Sequence, residues 1–308
     1  MTDQVVSTDK RELDEQDLIE LEGMQVVGRT FAQQAWLRFR RHKLAIISVV
    51  MLLLVTLAFV LGPVLSPYSI EETDVLNRLS GPTLAHPFGT DSIGRDLMVR
   101  TLDGGRYSLR IALIVSLLTT TIGTVVGALS GYLGGWIDTL LSQLTNLFLI
   151  VPALVVLIVV SRRFGGSPNA TAVLLGILLW PQIARIVRGL FLQFKEQEFV
   201  LAARAAGARS GRIMFRHILP NTVGPIVVAA TLLVSTAIIL ESTLSFLGLG
   251  VQPPNTTLGT LVDNARGALD SRPYELLLPA GFIVIVTLSI NFLGDALRDA
   301  LDPTSGRS

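Results

Sequence analysis

Glu241 is the only acid that falls inside an apolar run of this chain. A carboxyl group there has little water to solvate it, and ionisable groups inside membranes face a polar path or a partner. Two readings stand side by side: a group on a path or gate, or a hydrogen bond to a neighbouring helix near the outer boundary. Asn146, Gln182 and Asn291 are the other polar groups of this kind. Helix–helix hydrogen bonding is the ordinary use of each, and a place along a path is the alternative. Active-site chemistry finds little else to work with. The absence of cysteine excludes disulfides and thiolate metal sites. His42, His86 and His217 are scattered and form no ligand pair at helical spacing, so structural or interfacial roles are expected. A membrane-embedded enzyme would need a nucleophile with its base, or metal ligands, and no His or Cys lies in an apolar run. Lys10, Lys43 and Lys195 are the only lysines, and none follows a Gly-rich phosphate loop of the form G-x-x-x-x-G-K-[ST]. The chain therefore does not hydrolyse ATP.

The elements that must position these residues are membrane spans. Of 308 residues, 50% are apolar and 16% charged, and the mean hydropathy is +0.58. That excess is too great for a soluble core and points to an all-α polytopic membrane protein. The net charge of +1 offers no basis for nucleic-acid binding. Six apolar runs are long enough to cross: 44–61, ended by Gly62-Pro63 and Pro67; 111–133; 140–160, interrupted by Pro152; 170–186, the shortest, with Trp180-Pro181-Gln182 near its inner end; 223–247; and 276–293, with Pro279 near its start. Gly123, Gly127 and Gly131 recur every four residues in the second, a spacing that lets two helices approach closely in lipid. Residues 1–30 form an acidic tail, with eight Asp and Glu in the first 22 and none of the basic start of a signal peptide. Residues 31–43 read as an amphipathic interfacial helix on membrane lipid, with Trp36 near the headgroups and Arg38, Arg40, Arg41 and Lys43 on its other faces. With the N-terminus inside, sixteen of the 25 Lys and Arg lie on the cytoplasmic side. That bias places both termini, including the tail at 298–308, in the cytoplasm. Two long, turn-rich outer segments, 66–106 and 248–275, then face outward.

One polar segment interrupts the apolar second half, the cytoplasmic loop 195–221. Phe199, Ala202, Ala203 and Ala206 recur at helical spacing, so a short helix is expected. Gly207 ends it. Ser210 is expected to cap a second short helix that Pro220 stops. Lys195, Arg204, Arg209, Arg212 and Arg216 make the segment basic. A small-faced helix–Gly–helix held between spans suggests that another protein docks there.

The run FVLAARAAGARSGRIMFRHILPN resembles the cytoplasmic signature loop of ABC-importer permeases, with Ala202, Ala203, Gly207, Ile218, Leu219 and Pro220 on its typical positions. Leu201 departs from it, standing where that motif usually carries Glu. HPFGTDSIGRDLMVRTLDGGRYSL and GLGVQPPNTTLGTLVDNARGAL in the outer segments, and NFLGDALRDALDP at the C-terminal end, resemble the dipeptide/oligopeptide/nickel subfamily, and within it the second permease subunit. The resemblance covers roughly residues 35–303.

That resemblance implies a type I ABC-importer permease fold with six transmembrane helices in a bacterial or archaeal inner membrane. It implies a transport subunit rather than an enzyme, with no cofactor of its own. ATP and Mg would be used by two cytoplasmic ATPase partners. A homologous second permease subunit would supply the other half of the path, and an extracytoplasmic binding protein would supply the cargo. Di- or oligopeptides are the leading cargo; nickel chelates and oligosaccharides belong to the wider family. Glu198, Phe199, Ala202, Ala203, Arg204, Ala206, Gly207 and Arg209 become the expected ATPase-coupling residues. The rival class is an ion-gradient-driven secondary transporter or channel, which favours several buried carboxylates or repeated halves. Only Glu241 fits that pattern, and no clear internal repeat is present.

Overall fold

The computed structural model describes residues 31–164 and 166–301. The acidic tail 1–30 and the last residues from 302 onward lie outside them. Among the described residues ten α-helices of seven residues or more carry the fold: α1 Phe31–Arg41, α2 Lys43–Leu65, α3 Leu97–Leu133, α4 Gly135–Ile150, α5 Ala153–Phe164, α6 Pro168–Phe194, α7 Glu198–Ala205, α8 Leu219–Phe246, α9 Leu258–Asn264 and α10 Tyr274–Leu301. Helices α2, α3, α6, α8 and α10 are each long and apolar enough to span a membrane. The pair α4 and α5, bent by 82°, makes a sixth crossing when taken as one broken span. The break falls at Val151-Pro152, where proline disfavours a helical conformation in the residue before it.

The glycine stripe does what its spacing predicts. Helices α3 and α6 lie so close that a Cβ on Gly123 would stand 2.8 Å from the Trp180 carbonyl oxygen, and one on Gly131 would stand 2.7 Å from that of Arg188. Lipid tails are as apolar as leucine, so such backbone contact drives association more than hydrophobicity does. Phe59 of α2 is keyed into the bundle in the same way. Its ring fills the space a methyl on Gly105 would take, at 2.3 Å, and its other side meets the Phe282 ring of α10 at 5.3 Å.

Several expected boundaries change, mostly at prolines. Gly62-Pro63 does not end the first span: α2 runs through Pro63 to Leu65 and is closed by Ser66, whose N–H donates to the Gly62 carbonyl. The interfacial helix stops at Arg41, because His42 instead caps α2, its Nδ1 accepting the Ala45 N–H at 3.2 Å. The fourth crossing is not the shortest. Helix α6 holds Pro181 in its interior and carries Arg185 and Arg188 on its final turns before ending at Phe194. The last crossing also continues beyond its expected end, so residues 298–301 are helix, not tail.

The largest correction concerns Pro220. It does not stop a short helix; it lies at the start of α8, within a helical run that continues from the turn before it. The preceding residues, Ile213–Ile218, form a π-turn that runs without a break into α8. A proline cannot donate to the carbonyl four residues back, so the upstream turn widens. The Asn221 amide then donates to the His217 carbonyl at 2.6 Å. Ser210 is not the cap either: Arg209 holds that position, and no side chain satisfies the turn.

Helix α3, about 55 Å long at 1.5 Å per residue, exceeds the ~30 Å hydrocarbon core. Its first turns therefore belong to the segment 66–106 that precedes the span. They are capped by Asp96, whose Oδ1 accepts the Val99 N–H at 2.9 Å and whose Oδ2 meets His86 Nδ1 at 2.8 Å. His86 also packs on the Tyr68 ring, 4.5 Å between centroids, so this histidine is structural.

Candidate coupling helix and polar sites

Helix α7 is joined to α6 by three residues and to the π-turn by a glycine corner. Gly207 sits at φ +80°, a conformation that costs residues with a Cβ about 1–2 kcal/mol. It allows the Gly207 N–H to donate to the Arg204 carbonyl and the Ala208 N–H to the Ala203 carbonyl, each at 3.0 Å. Two otherwise orphaned carbonyls are satisfied, and α7 ends abruptly.

One side chain anchors α7 in the rest of the chain. Val200 is fully buried, and its helix packs against Ile213–Ile218, where Ile213 and Met214 are buried too. The ring of Phe199 also makes an edge contact with Phe194, 6.4 Å between centroids. The remaining surface faces outward: Glu198, Ala202, Arg204, Ala206 and Arg209 are exposed and Ala203 is half-buried. Phe199 is 41% exposed, Leu201 43% and Phe215 of the adjoining turn 71%, so apolar as well as basic groups are presented. The periodic face Phe199, Ala202, Ala203, Ala206 is thus not a core face. Sequence reasoning missed Val200; its signal was a β-branched residue amid small ones, with apolar residues of the next turn to meet it.

The structure does not bring the four polar residues of the spans together. Gln182 is exposed on α6 and lines a groove of about 580 Å³ between α6, α8 and α10, walled by Ile186, Val228 and Leu232 and edged by Arg298. Asn146 lies on α4 and accepts from Arg185 Nη2 at 3.1 Å. Beside it, Arg188 of α6 grips Asp138 of α4 with two bonds of 2.7 Å, from Nε and Nη2. Asn291 is half-buried on α10. Glu241 is fully buried near the C-terminal end of α8, where it accepts hydroxyls of Ser245 and Thr257 at 2.7 Å and of Ser108 at 3.2 Å. No local pattern announces Ser108 and Thr257, which come from distant parts of the chain.

A second polar cluster ties segments 66–106 and 248–275 together. Asp91 accepts from Arg95 Nε at 2.8 Å and from Arg100 Nη1 at 2.5 Å, and Arg100 also reaches Thr256 at 3.4 Å. Burial pushes the Asp91 carboxyl up. The N–H groups of Arg95 and Ile93 and the two guanidinium groups outweigh that and hold it below the usual carboxylate value. Asp91, Arg100 and Thr256 edge a cavity of about 850 Å³ between the two segments.

An all-helical bundle with a glycine-keyed pair of spans, a π-turn and a short helix with a largely exposed surface has counterparts among known proteins. Residues 123–306 match the binding-protein-dependent transport system inner membrane component, and residues 30–82 match the N-terminal transmembrane domain of oligopeptide transport permease C. The chain belongs to the binding-protein-dependent permease family. This permease is 43% identical over 284 residues to the oligopeptide transport system permease protein OppC of Escherichia coli K12, covering 92% of this chain and 94% of the relative. It is 40% identical over 271 residues to OppC of Bacillus subtilis, covering 88% and 89%. Among solved structures, an inward-facing MetNI methionine ABC transporter matches with a TM-score of 0.57 over 67% of this chain and 98% of that chain; at 23% identity this shows the fold. The permease accordingly has the type I ABC-importer fold. It is an inner-membrane transport component and not an enzyme, and ATP hydrolysis lies in partner subunits.

Proposed function

We propose that this permease forms half of the translocation path of an ATP-driven importer of di- and oligopeptides, and that α7 is where cytoplasmic ATPase subunits grip it. A homologous second permease completes the path, two ATPases use ATP and Mg, and an extracytoplasmic binding protein delivers cargo. The observation that carries this reading is the state of α7: Val200 is buried while the surrounding surface, from Phe199 and Leu201 to Arg204 and Arg209, faces outward. A helix held this way can pass a push into α6 and α8, to which it is joined by short, hydrogen-bonded corners, and coupling of this kind needs contiguous, stiff contact. The names of the relatives, permeases of oligopeptide transport systems, support the peptide cargo.

Both termini face the cytoplasm in this reading, in keeping with the excess of Lys and Arg on that side. The groove beside Gln182 lines the path. Asn146 and Asn291 serve helix–helix contacts, and Glu241 belongs to the outer gate. ATP-driven closure of the ATPases rocks the spans between inward- and outward-open states.

Reconstitution with its ATPases and binding protein tests this. Ala203→Glu and a bulky residue at Gly207 should leave insertion intact but separate ATP hydrolysis from peptide uptake. Normal uptake by both variants would refute the docking role. Ion-coupled flux by the isolated chain would instead favour a gradient-driven transporter.

A further inference from the structure

We propose that Glu241 is the positioning residue of an outer latch: its carboxyl group ties the N-terminus of α9 to α3 and α8, so that this extracytoplasmic helix moves with the two spans as one body. The inference rests on the importer reading. It extends it to the residues that make the outer end of the bundle a rigid unit.

The three hydroxyls on Glu241 come from three elements: Ser108 from α3, Ser245 from α8, and Thr257 from the residue that caps α9. Two of them are already committed to α9. The Ser108 hydroxyl oxygen accepts the Leu258 N–H at 3.1 Å, and the Thr257 hydroxyl oxygen accepts the Thr260 N–H at 3.3 Å. Each of these hydroxyls thus uses a lone pair on the first turn of α9 and directs its proton at Glu241. Among the described residues no Lys, Arg or His forms an ion pair with Glu241, so the hydroxyls hold the buried carboxyl.

The seat itself is tight. A Cβ on Gly259 of α9 would stand 2.6 Å from Cα of Ser242 in α8, and one on Gly104 of α3 would stand 3.1 Å from the Thr257 carbonyl carbon. Backbone therefore rests on backbone on both sides of the carboxyl. A buried polar set that is half satisfied costs more than none at all, so the latch is closed or open with little between. Two discrete arrangements are what alternating access requires of a moving part.

The chain has no native cysteine, so Ala265→Cys, buried at 3% exposure at the end of α9, is a clean reporter for a membrane-impermeant maleimide. In the assembled importer the reporter should label slowly. Glu241→Leu, which removes every acceptor at similar volume, should raise the rate about tenfold or more by orphaning three hydroxyls, and Glu241→Gln should fall between. Ser108→Ala should raise it several-fold. The double variant Ser108→Ala/Glu241→Leu should label more slowly than the product of the two single effects, because the Ser108–Glu241 bond is lost only once while the Leu258 N–H bond to Ser108 is a separate loss. Thr257→Ser, which keeps the hydroxyl, should label at the parent rate. If Glu241→Leu does not insert, Ser108→Ala carries the test. Parent-rate labelling of Ser108→Ala, or effects that multiply in the double variant, would overturn the latch. Uptake is measured on the same vesicles: if the parent chain moves no peptide, the importer reading falls, while labelling still decides the latch.

Discussion

A methyl group on Gly127 would stand 2.5 Å from the carbonyl oxygen of Ala184. That distance is short of any real contact, so α3 and α6 can keep their present spacing only while this position carries no side chain. Gly127→Val should force the two spans apart at a cost of about 1–3 kcal/mol, the range for overpacked sites. The Tm of the purified chain in detergent should fall accordingly. Gly189→Ala is the contrast, since no atom lies within 4 Å of the added Cβ. Replacing a helix-interior glycine there should raise stability by up to about 1 kcal/mol.

Val200 and Gly207 should separate transport from folding. Val200→Ser removes the buried anchor of α7, and Gly207→Val places a β-branched residue at φ +80° with nothing nearby to clash. Both changes act on a short peripheral helix, so the Tm of the bundle should move little. Peptide taken up per ATP hydrolysed in proteoliposomes should fall several-fold. A ratio equal to that of the parent would argue that α7 carries no force.

The Asp138–Arg188 fork joins the first turn of α4 to α6. The pair is partly solvent-exposed, at 37% for Arg188 and 21% for Asp138, so it is worth about 1 kcal/mol at most. Arg188→Lys should lose most of that, because an ammonium cannot present two parallel donors. Exchanging the two residues should recover part of it. Thermal melts of the parent, Asp138→Arg, Arg188→Asp and the exchanged double variant give the coupling energy, and additive effects would show that the fork contributes nothing as a pair.

Asp91 should make the outer segment acid-sensitive. Its folded-state carboxyl titrates below the unfolded value of about 3.9. The stabilisation it supplies is therefore present above that value and is lost as pH falls through the lower folded one. Amide protection at Thr90 and Arg95, measured by hydrogen exchange, should hold from neutral pH down to about 4 and decline below it. Asp91→Asn should lose protection already at neutral pH, since it leaves the buried Arg100 without its partner. Equal protection in the variant would remove Asp91 from the account of the loop.

Much of the architecture was legible in residue order alone. The apolar runs are read by length, because a bilayer demands one. The glycine stripe is read by period, because a helix repeats near four residues. The basic interruption with its positive-φ glycine is read by composition, because only glycine takes that corner without strain. These are local properties, and local physics suffices for them. Prolines are the exception, since a proline at a helix start and one at a helix end look alike until the next helix is seen: Pro220 lies at the start of α8, and Pro63 and Pro181 sit inside helices. What folding alone decided is which distant groups meet. Ser108 and Thr257 reach Glu241, and Arg188 reaches Asp138, across separations at which no periodicity relates them. Val200 is buried and Phe199 is not, because burial depends on where the π-turn places Ile213 and Met214. A hydrogen bond or a seat between elements is a property of their relative placement, and that exists only once the spans have packed.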